Sequence, residues 1–308
     1  MNLTPNPEAA GLDPARLARI DEHFRTSYVE PGKIAGYQIA VGRHGHLAVR
    51  STVGTMDLET GTPLDDQTIW RLYSMSKPIT GVALLSLLER AKVKLSDPIH
   101  RFLPEWRDVK VSVERPDGSV ELVDTEQPIS VKHALMHMTG IGTGPPQARL
   151  NLEALVDGGG ARSLDPSATL ADLSRLLATE PLWFQPGAHW YYSWSSDICA
   201  RLVEVIADEP FGDHLRWAVL DPLGMVDTGF HVPEPDAHRC RRCAPEPPAR
   251  RSGCSTIERR TGCVENWRCS RAAAASSARS TTTSGSARRS RWAARPTARA
   301  SWPGRRSN

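Results

Sequence analysis

The chain reads Ser74-Met75-Ser76-Lys77-Pro78-Ile79-Thr80 immediately before an apolar run from residue 81 to residue 88. This pattern predicts a helix that begins near Ser74. Residues three apart lie on one face of a helix, so the Lys77 ammonium can reach the Ser74 hydroxyl. Both side chains also lie beside the backbone N–H groups that a helix leaves unpaired at its N-terminus. Together these features can make Ser74 an acylating nucleophile.

A serine hydroxyl is a poor nucleophile until a base removes its proton. Lys77 can be that base only if burial or nearby positive charge lowers its pKa from about 10.4 towards 7, a shift of roughly 4 kcal/mol. The motif therefore predicts a desolvated pocket around Ser74. By itself, however, a Ser-x-x-Lys spacing arises by chance in many chains, and it is also compatible with a capping serine beside a solvated lysine.

Three further segments strengthen the hypothesis of an active site. Downstream, Pro186-Gly187 leads to Tyr191-Tyr192 and then to an apolar segment at 198–206, a pattern typical of a loop that enters a helix at Tyr192. The segment 129–141 lies between the two motifs, and Asp221-Pro222-Leu223-Gly224 follows them. Four landmarks therefore occur in one order along the chain.

This series resembles the serine β-lactamase-like superfamily, in particular its branch of class C β-lactamases and family VIII carboxylesterases. The resemblance covers about residues 10–237. It implies an α/β (α+β) fold of the β-lactamase/transpeptidase type, with an antiparallel sheet flanked by helices, a helical domain and an active site between them. Residues 1–70 would form the sheet part and residues 71–237 the mostly helical part that carries the active site.

The resemblance also implies roles for individual residues. Ser74 would be the nucleophile, Lys77 its proton acceptor, and Tyr192 the phenol that relays the proton to the leaving group before water hydrolyses the acyl-enzyme. Which of Lys77 and Tyr192 removes the first proton stays open. Tyr191 is the alternative to Tyr192, although the family's distance from Pro-Gly to the tyrosine favours Tyr192.

Substrate-binding residues are expected next to this tyrosine. In the penicillin-processing members, the position two after the tyrosine is usually asparagine, which binds the substrate amide, whereas this chain has Trp194. The departure favours esters over β-lactams. We assign Trp194 and Tyr191 as substrate contacts, and we expect a small-molecule ester or amide as the partner.

A metal site is a further possibility, because His133 and His137 are four apart and would share one face of a helix. No glutamate lies between them, and the sequence offers no evident third ligand. We therefore predict neither a metal nor another cofactor.

The periodicity of the chain predicts the local structure around these motifs. A helix should begin at Asp13-Pro14, and hairpins should pair residues 36–41 with 47–50 and residues 110–113 with 120–123. Further helices are expected at about 131–137, 169–178 and 196–207.

The chain changes character near residue 238. From His238 to Asn308 it contains 17 arginines but no leucine, phenylalanine, tyrosine, lysine or aspartate. Residues 1–238 carry 21 basic and 32 acidic side chains, a net charge of −11, whereas the remainder carries 17 and 3, a net charge of +14. Such a segment cannot bury enough apolar surface to offset its ordering entropy. Residues 238–308 are thus predicted to be a basic tail that is disordered or frameshifted.

Three interpretations of this tail compete: a basic nucleic-acid arm, a zinc module around Cys240 and Cys243, and a translation that is out of frame. No second cysteine pair matches the first, which argues against zinc. A shifted reading of residues 271–286 permits Gly-Gly-Gly-Gly-Leu-Val-Ser-Thr-x-Asp-Asp-Tyr-Leu-Arg-Phe, which is similar to a signature segment of the family. We therefore favour the frameshift and expect no specific nucleic-acid partner.

A frameshift near residue 238 would remove the family's third motif and the C-terminal strands of its sheet. In the family, the strand with the third motif supplies the second backbone N–H of the oxyanion hole, and Ser74 would supply the first. Loss of one such donor typically lowers the rate by about 10²- to 10³-fold. The sequence thus predicts an impaired serine hydrolase, with a non-catalytic binding protein that keeps the Ser74 pocket as the alternative. The opening residues resemble no signal peptide and no long apolar span follows, so a cytoplasmic location without membrane contact is the default expectation. The oligomeric state stays open.

Overall fold

The computed structural model describes residues 4–142 and 168–240. Helices and strands alternate irregularly within these ranges, and short 3₁₀ and π-helical turns join several of them. The helices are α1 (Pro14–Phe24), α2 (Ser76–Glu89), α3 (Val131–Leu135), α4 (Leu170–Ala178), α5 (Ser195–Ala207), α6 (Phe211–Leu215) and α7 (Asp221–Leu223). The strands are β1 (Gly36–Arg43), β2 (His46–Asp57), β3 (Thr62–Pro63), β4 (Lys110–Glu114) and β5 (Val120–Asp124).

Both predicted hairpins are confirmed. Strands β1 and β2 pair in antiparallel fashion and join at His44-Gly45, where both residues have positive φ angles of 52° and 77°. Two-residue turns of this handedness match the twist of the strands they connect. The second hairpin pairs β4 with β5, with Lys110 opposite Asp124.

The first sheet has the order β1-β2-β3 and closes tightly at one end. Gly36 lies opposite Gly54, whose φ is +101°, and a Cβ at Gly54 would lie 2.2 Å from the Ala35 carbonyl oxygen. Only glycine fits this approach of the two backbones.

The helix α1 begins where predicted, since the Asp13 carboxylate accepts a hydrogen bond from the Ala15 N–H at 2.8 Å.

The main hydrophobic core lies among the helices. Leu84 and Leu87 of α2 pack in one cluster with Leu202 and Val203 of α5, and each of these side chains is at most 3 % exposed. Burial of one such aliphatic side chain contributes roughly 1.5–3 kcal/mol. The packing of α2 against α5 fixes the two helices relative to each other, and with them the loops that precede their N-termini.

The described residues continue past the predicted boundary at residue 238. The Ile69 N–H donates to the Arg239 carbonyl at 2.8 Å, and the Arg239 guanidinium forms ion pairs with Asp227 and Asp236. Cys240 is buried and pairs with Ile69 as a parallel bridge. The segment up to residue 240 thus belongs to the fold, whereas the predictions for the remaining tail, 241–308, fall outside the described residues.

The helices of residues 4–142 and 168–240 are short. The α2 helix has 14 residues, and none of the helices in these ranges is long and apolar enough to cross a membrane. A membrane-spanning helix needs about 20 predominantly apolar residues.

A buried polar contact ties α4 to the rest of the core and provides a test of the fold. The Trp106 Nε1–H donates to Ser174 Oγ at 2.9 Å, and both side chains are at most 2 % exposed. Ser174→Ala should lower the free energy of unfolding by about 1–3 kcal/mol, because the indole N–H would stay buried without its acceptor. Urea denaturation followed by circular dichroism measures this change.

Ser86→Ala is the matched control. Its hydroxyl donates to the Ala83 carbonyl of its own helix, and its loss should change the free energy of unfolding by no more than about 0.5 kcal/mol. Equal effects of the two substitutions would contradict this account of the core.

Candidate active site

Ser74 lies in a single 3₁₀ turn, Tyr73–Met75, that leads directly into α2. The turn begins with Tyr73 in the left-handed region at φ +46°, and the Met75 N–H donates to the Leu72 carbonyl at 2.9 Å. The helix itself starts at Ser76, two residues later than the serine motif predicts. Ser74 therefore stands just outside the N-terminus of α2 with its side chain exposed.

Lys77 lies one turn further along, in the first turn of α2. Its Nζ donates a hydrogen bond to Ser74 Oγ at 3.3 Å, as the three-residue spacing predicts. The same Nζ lies 4.6 Å from the centre of the Tyr192 ring. A cation at this distance from an aromatic face is attracted by the ring quadrupole.

Tyr192 reaches the same hydroxyl from the loop before α5. Its phenol donates to Ser74 Oγ at 2.6 Å, although the two residues are 118 positions apart in the chain. The tyrosine belongs to the loop before α5, which turns at Gly187 with φ +86°. Packing of α2 against α5 brings the two loops together, so Ser74, Lys77 and Tyr192 form one hydrogen-bonded cluster.

His137 supports this cluster, a role that the sequence did not indicate, since the sequence suggested only a possible metal ligand at this position. Its imidazole stacks on the Tyr192 ring, with centroids 5.1 Å apart and planes inclined by 15°. Nδ1 accepts a hydrogen bond from the Ser193 N–H at 3.3 Å, and the His137 carbonyl accepts one from the Tyr191 N–H at 2.9 Å. Burial, and after it the Lys77 cation, lowers the pKa of His137.

The prediction of a desolvated pocket around the serine is wrong for the described residues. Ser74 is exposed, Lys77 is half-buried and Tyr192 is 44 % exposed. The reason is that the cluster lies at the N-terminal ends of two helices, on the surface of the part of the chain that the structure describes. A cavity of about 200 Å³ lies next to the segment Thr68–Leu72 that leads to this turn, and none of the predicted site residues lines it.

The two assigned substrate contacts have other surroundings. Trp194 is only 7 % exposed and belongs to the main core, because this residue, the N-cap of α5, points inward. Tyr191 is half-buried and packs on Trp183, with ring centroids 4.8 Å apart. The assignment of Trp194 as a substrate contact is therefore corrected to a core residue, and Tyr191 is a packed aromatic beside the cluster.

The expectation that His133 and His137 share a helical face is wrong as well. The α3 helix ends at Leu135, and His137 adopts a left-handed conformation at φ +55°. His133 instead completes a capping box, in which its Nδ1 accepts from the Ser130 N–H at 3.2 Å. Within residues 4–142 and 168–240, no group of three histidine, cysteine or acidic side chains could hold a metal ion.

The two tryptophans that flank Tyr192 allow a direct test of these positions. Trp194→Ala should lower the free energy of unfolding by about 3–5 kcal/mol, because it leaves a cavity in the core. Trp190→Ala is the matched control, since Trp190 is 65 % exposed and its loss should cost no more than about 0.5 kcal/mol. Thermal and urea unfolding of both variants measure the difference, and a stable Trp194→Ala variant with altered substrate preference would contradict the correction.

The family model described as Beta-lactamase matches residues 22–298, which extends beyond the expected end of the resemblance at residue 237. Esterase EstB from Burkholderia gladioli is 35 % identical over 238 residues, which cover 75 % of this chain and 56 % of EstB. Lovastatin esterase from Penicillium rubens is 27 % identical over 221 residues, which cover 69 % of this chain and 52 % of that enzyme.

A solved structure also matches the fold of this chain. The structure of EstCE1, described as a hydrolase with promiscuous acyltransferase activity, matches with a TM-score of 0.61 at 28 % identity. The match covers 74 % of this chain and 56 % of EstCE1. The chain thus spans about half the length of the relatives it matches. With a family model that matches most of its residues, and with the β-lactamase/transpeptidase-like fold of these neighbours, the chain belongs to the Beta-lactamase family.

Proposed function

We propose that this protein is a serine hydrolase that forms an acyl-enzyme on Ser74 from a small-molecule ester. The observation that carries the proposal is the pair of hydrogen bonds on one hydroxyl: Tyr192 lies 2.6 Å and Lys77 3.3 Å from Ser74 Oγ. A nucleophile within hydrogen-bond reach of its base, with that base held by a third group, is the arrangement that covalent acyl transfer requires.

Proton transfer follows from the geometry of these bonds. In the structure both Lys77 and Tyr192 donate to Ser74 Oγ, so the pair must lose one proton before it can act as a base. The serine proton then passes to the pair as Oγ attacks the substrate carbonyl carbon. Collapse of the tetrahedral intermediate breaks the ester bond, and the pair returns the proton to the departing alkoxide. Attack by water on the acyl-enzyme, with the same proton route, releases the acid and restores Ser74.

Esters are the favoured substrate class for two reasons. Two of the relatives are named as esterases, EstB and lovastatin esterase. In addition, Trp194 stands where penicillin-processing members usually have the asparagine that binds the substrate amide, and its buried indole offers no replacement for that amide-binding group. Amides and β-lactams are the less favoured substrates.

We further propose a cytoplasmic location, which rests on the sequence alone.

The proposal includes impairment of the chain by its C-terminal segment. The out-of-frame translation, expected from residue 238, would begin after Cys240 and replace the third motif and the last strands of the sheet, so that residues 1–240 are an incomplete hydrolase domain. The apolar surface of α2 supports this view, since Val82 is 49 % and Leu85 43 % exposed on the central helix. A sheet that packed on α2 would cover such side chains.

A non-catalytic binding protein is the second candidate. The exposure of Ser74 favours it, because a nucleophile in water lacks the desolvated surroundings that lower the pKa of a lysine base. Such a protein would react with an activated acyl group at Ser74 but release no product. Hydrolysis of p-nitrophenyl esters separates the candidates, since multiple turnovers occur only in the enzyme.

Substitution of Tyr192, with Tyr191 as the control, tests the proposed mechanism most sharply. Tyr192→Phe should lower kcat for p-nitrophenyl ester hydrolysis by about 10²- to 10⁴-fold, because the proton relay to the leaving group is lost. Tyr191→Phe is the matched control and should retain kcat within about twofold, since the Tyr191 ring packs on Trp183. Equal losses in the two variants would contradict the assignment.

Restoration of the reading frame tests the proposed impairment. A gene corrected by one base near codon 238 should encode a protein whose kcat exceeds that of the present chain by about 10²- to 10³-fold, the contribution of one oxyanion donor. Steady-state kinetics of both proteins, each with Ser74→Ala as the inactive control, measure the ratio. Equal turnover by the two proteins would show that the basic segment does not impair the site.

A further inference from the structure

We propose that His137 is a positioning residue that holds the Tyr192 phenol against Ser74. The inference deepens the proposed function, on which it rests, because it names what keeps the proton relay in place. The two ring nitrogens of His137 are engaged by the Ser193 N–H and the Ser196 hydroxyl, so the imidazole acts through Tyr192 and not as a base.

His137 binds the backbone N–H groups on both sides of Tyr192. The His137 carbonyl accepts from the backbone N–H before Tyr192, that of Tyr191, at 2.9 Å. Its Nδ1 accepts from the N–H after Tyr192, that of Ser193, at 3.3 Å. The imidazole face stacks on the tyrosine ring between these two bonds, 5.1 Å from its centre. Backbone and ring of Tyr192 are thus fixed by one residue.

The second ring nitrogen anchors the imidazole to the helix that follows. Nε2 lies 3.4 Å from Ser196 Oγ, in the first turn of α5. Since Nδ1 accepts from a backbone N–H, a neutral ring carries its proton on Nε2 and donates it to this hydroxyl. Below the stack, Thr139 Oγ1 lies 3.1 Å from Ser195 Oγ and joins the same two segments again. The loop that carries His137 is therefore attached to α5 at several points.

The backbone of His137 supports a specific role for this position. Its φ of +55° lies in the left-handed region, which is uncommon for residues other than glycine. Such conformations persist only where the surrounding structure determines them, and they concentrate at functional sites. Here the left-handed turn ends α3 and directs both the carbonyl and the imidazole of His137 towards the tyrosine loop.

The hold of His137 on the backbone and ring of Tyr192 requires a neutral imidazole. A proton on Nδ1 would remove the acceptor for the Ser193 N–H and place a second cation near Lys77. Among the described residues, the titratable groups in contact with the His137 ring or acting on it are the Tyr192 phenol and the Lys77 ammonium. Burial and the Lys77 cation lower the pKa of His137 from 6.5, so the ring stays neutral somewhat below pH 6.5 and its hold on Tyr192 is lost as the pH falls through the lowered pKa.

The test compares three substitutions in the full chain by p-nitrophenyl ester hydrolysis. His137→Ala should lower kcat by about 10- to 100-fold with KM unchanged, because a displaced catalytic group slows the chemical step without loss of substrate contacts. His137→Gln keeps a side-chain acceptor for the Ser193 N–H and should recover part of this loss. It should also show a shallower fall of kcat below pH 6.5 than the unmodified chain, because glutamine does not titrate.

His133→Ala is the matched control, since the hydrogen bonds of His133 to Ser130 cap α3 in the same segment. It should retain kcat within about twofold. A wild-type kcat in His137→Ala, or an equal loss in both alanine variants, would overturn the inference while leaving the proposed esterase intact.

An NMR measurement tests the position of His137 even if the chain hydrolyses no ester. The ring protons of His137, assigned by their loss in His137→Gln, should show an upfield NMR shift from the stacked tyrosine that disappears in Tyr192→Leu. Absence of turnover in the unmodified chain would count against the proposed function alone. Absence of the tyrosine-dependent shift would overturn the positioning role of His137.

Discussion

The packing of α2 against α5 is the constraint on which the site depends. Ser74 precedes the first residue of α2 by two positions, and Tyr192 precedes the first residue of α5 by three. Because the buried faces of the two helices share one core, their N-terminal ends come together and so do the loops before them. The hydrogen bond from the tyrosine to the serine is a consequence of this packing, since 118 positions of chain separate the two residues. A loss of core packing would thus act on the site without a change in any of its residues.

The local structure could be predicted well from the sequence. Apolar periodicity and turn residues predicted the two hairpins, the start of α1 at Asp13 and the bounds of α4 and α5 to within a residue, because these signals are local. The three-residue spacing of Ser74 and Lys77 translated directly into a contact for the same reason. The meeting of this pair with Tyr192 was expected only through the family resemblance, since no local pattern links positions so far apart.

Other features depended on tertiary contacts and were predicted wrongly or missed. The sequence predicts that His137 continues α3, but its backbone turns left-handed because its carbonyl and ring bind the loop that carries Tyr192. A Met138-Thr139-Gly140 sequence after it was the available signal that the helix had ended. Trp194 faces the core because the direction of a side chain at the start of α5 is set by the packing of that helix. Exposure of Ser74 likewise depends on which parts of the fold cover it, and a short motif carries no information on that.

The central claim is that Ser74 is a nucleophile activated by its two neighbours. Treatment of the full chain with a fluorophosphonate, in which the serine oxygen displaces fluoride from phosphorus, tests it most directly when the adduct is located by peptide mass mapping. The account predicts a single adduct on the peptide that contains Ser74, which is absent from Ser74→Ala and forms more slowly in Tyr192→Phe. An adduct on another residue, labelling that persists in Ser74→Ala, or no labelling at all would contradict it.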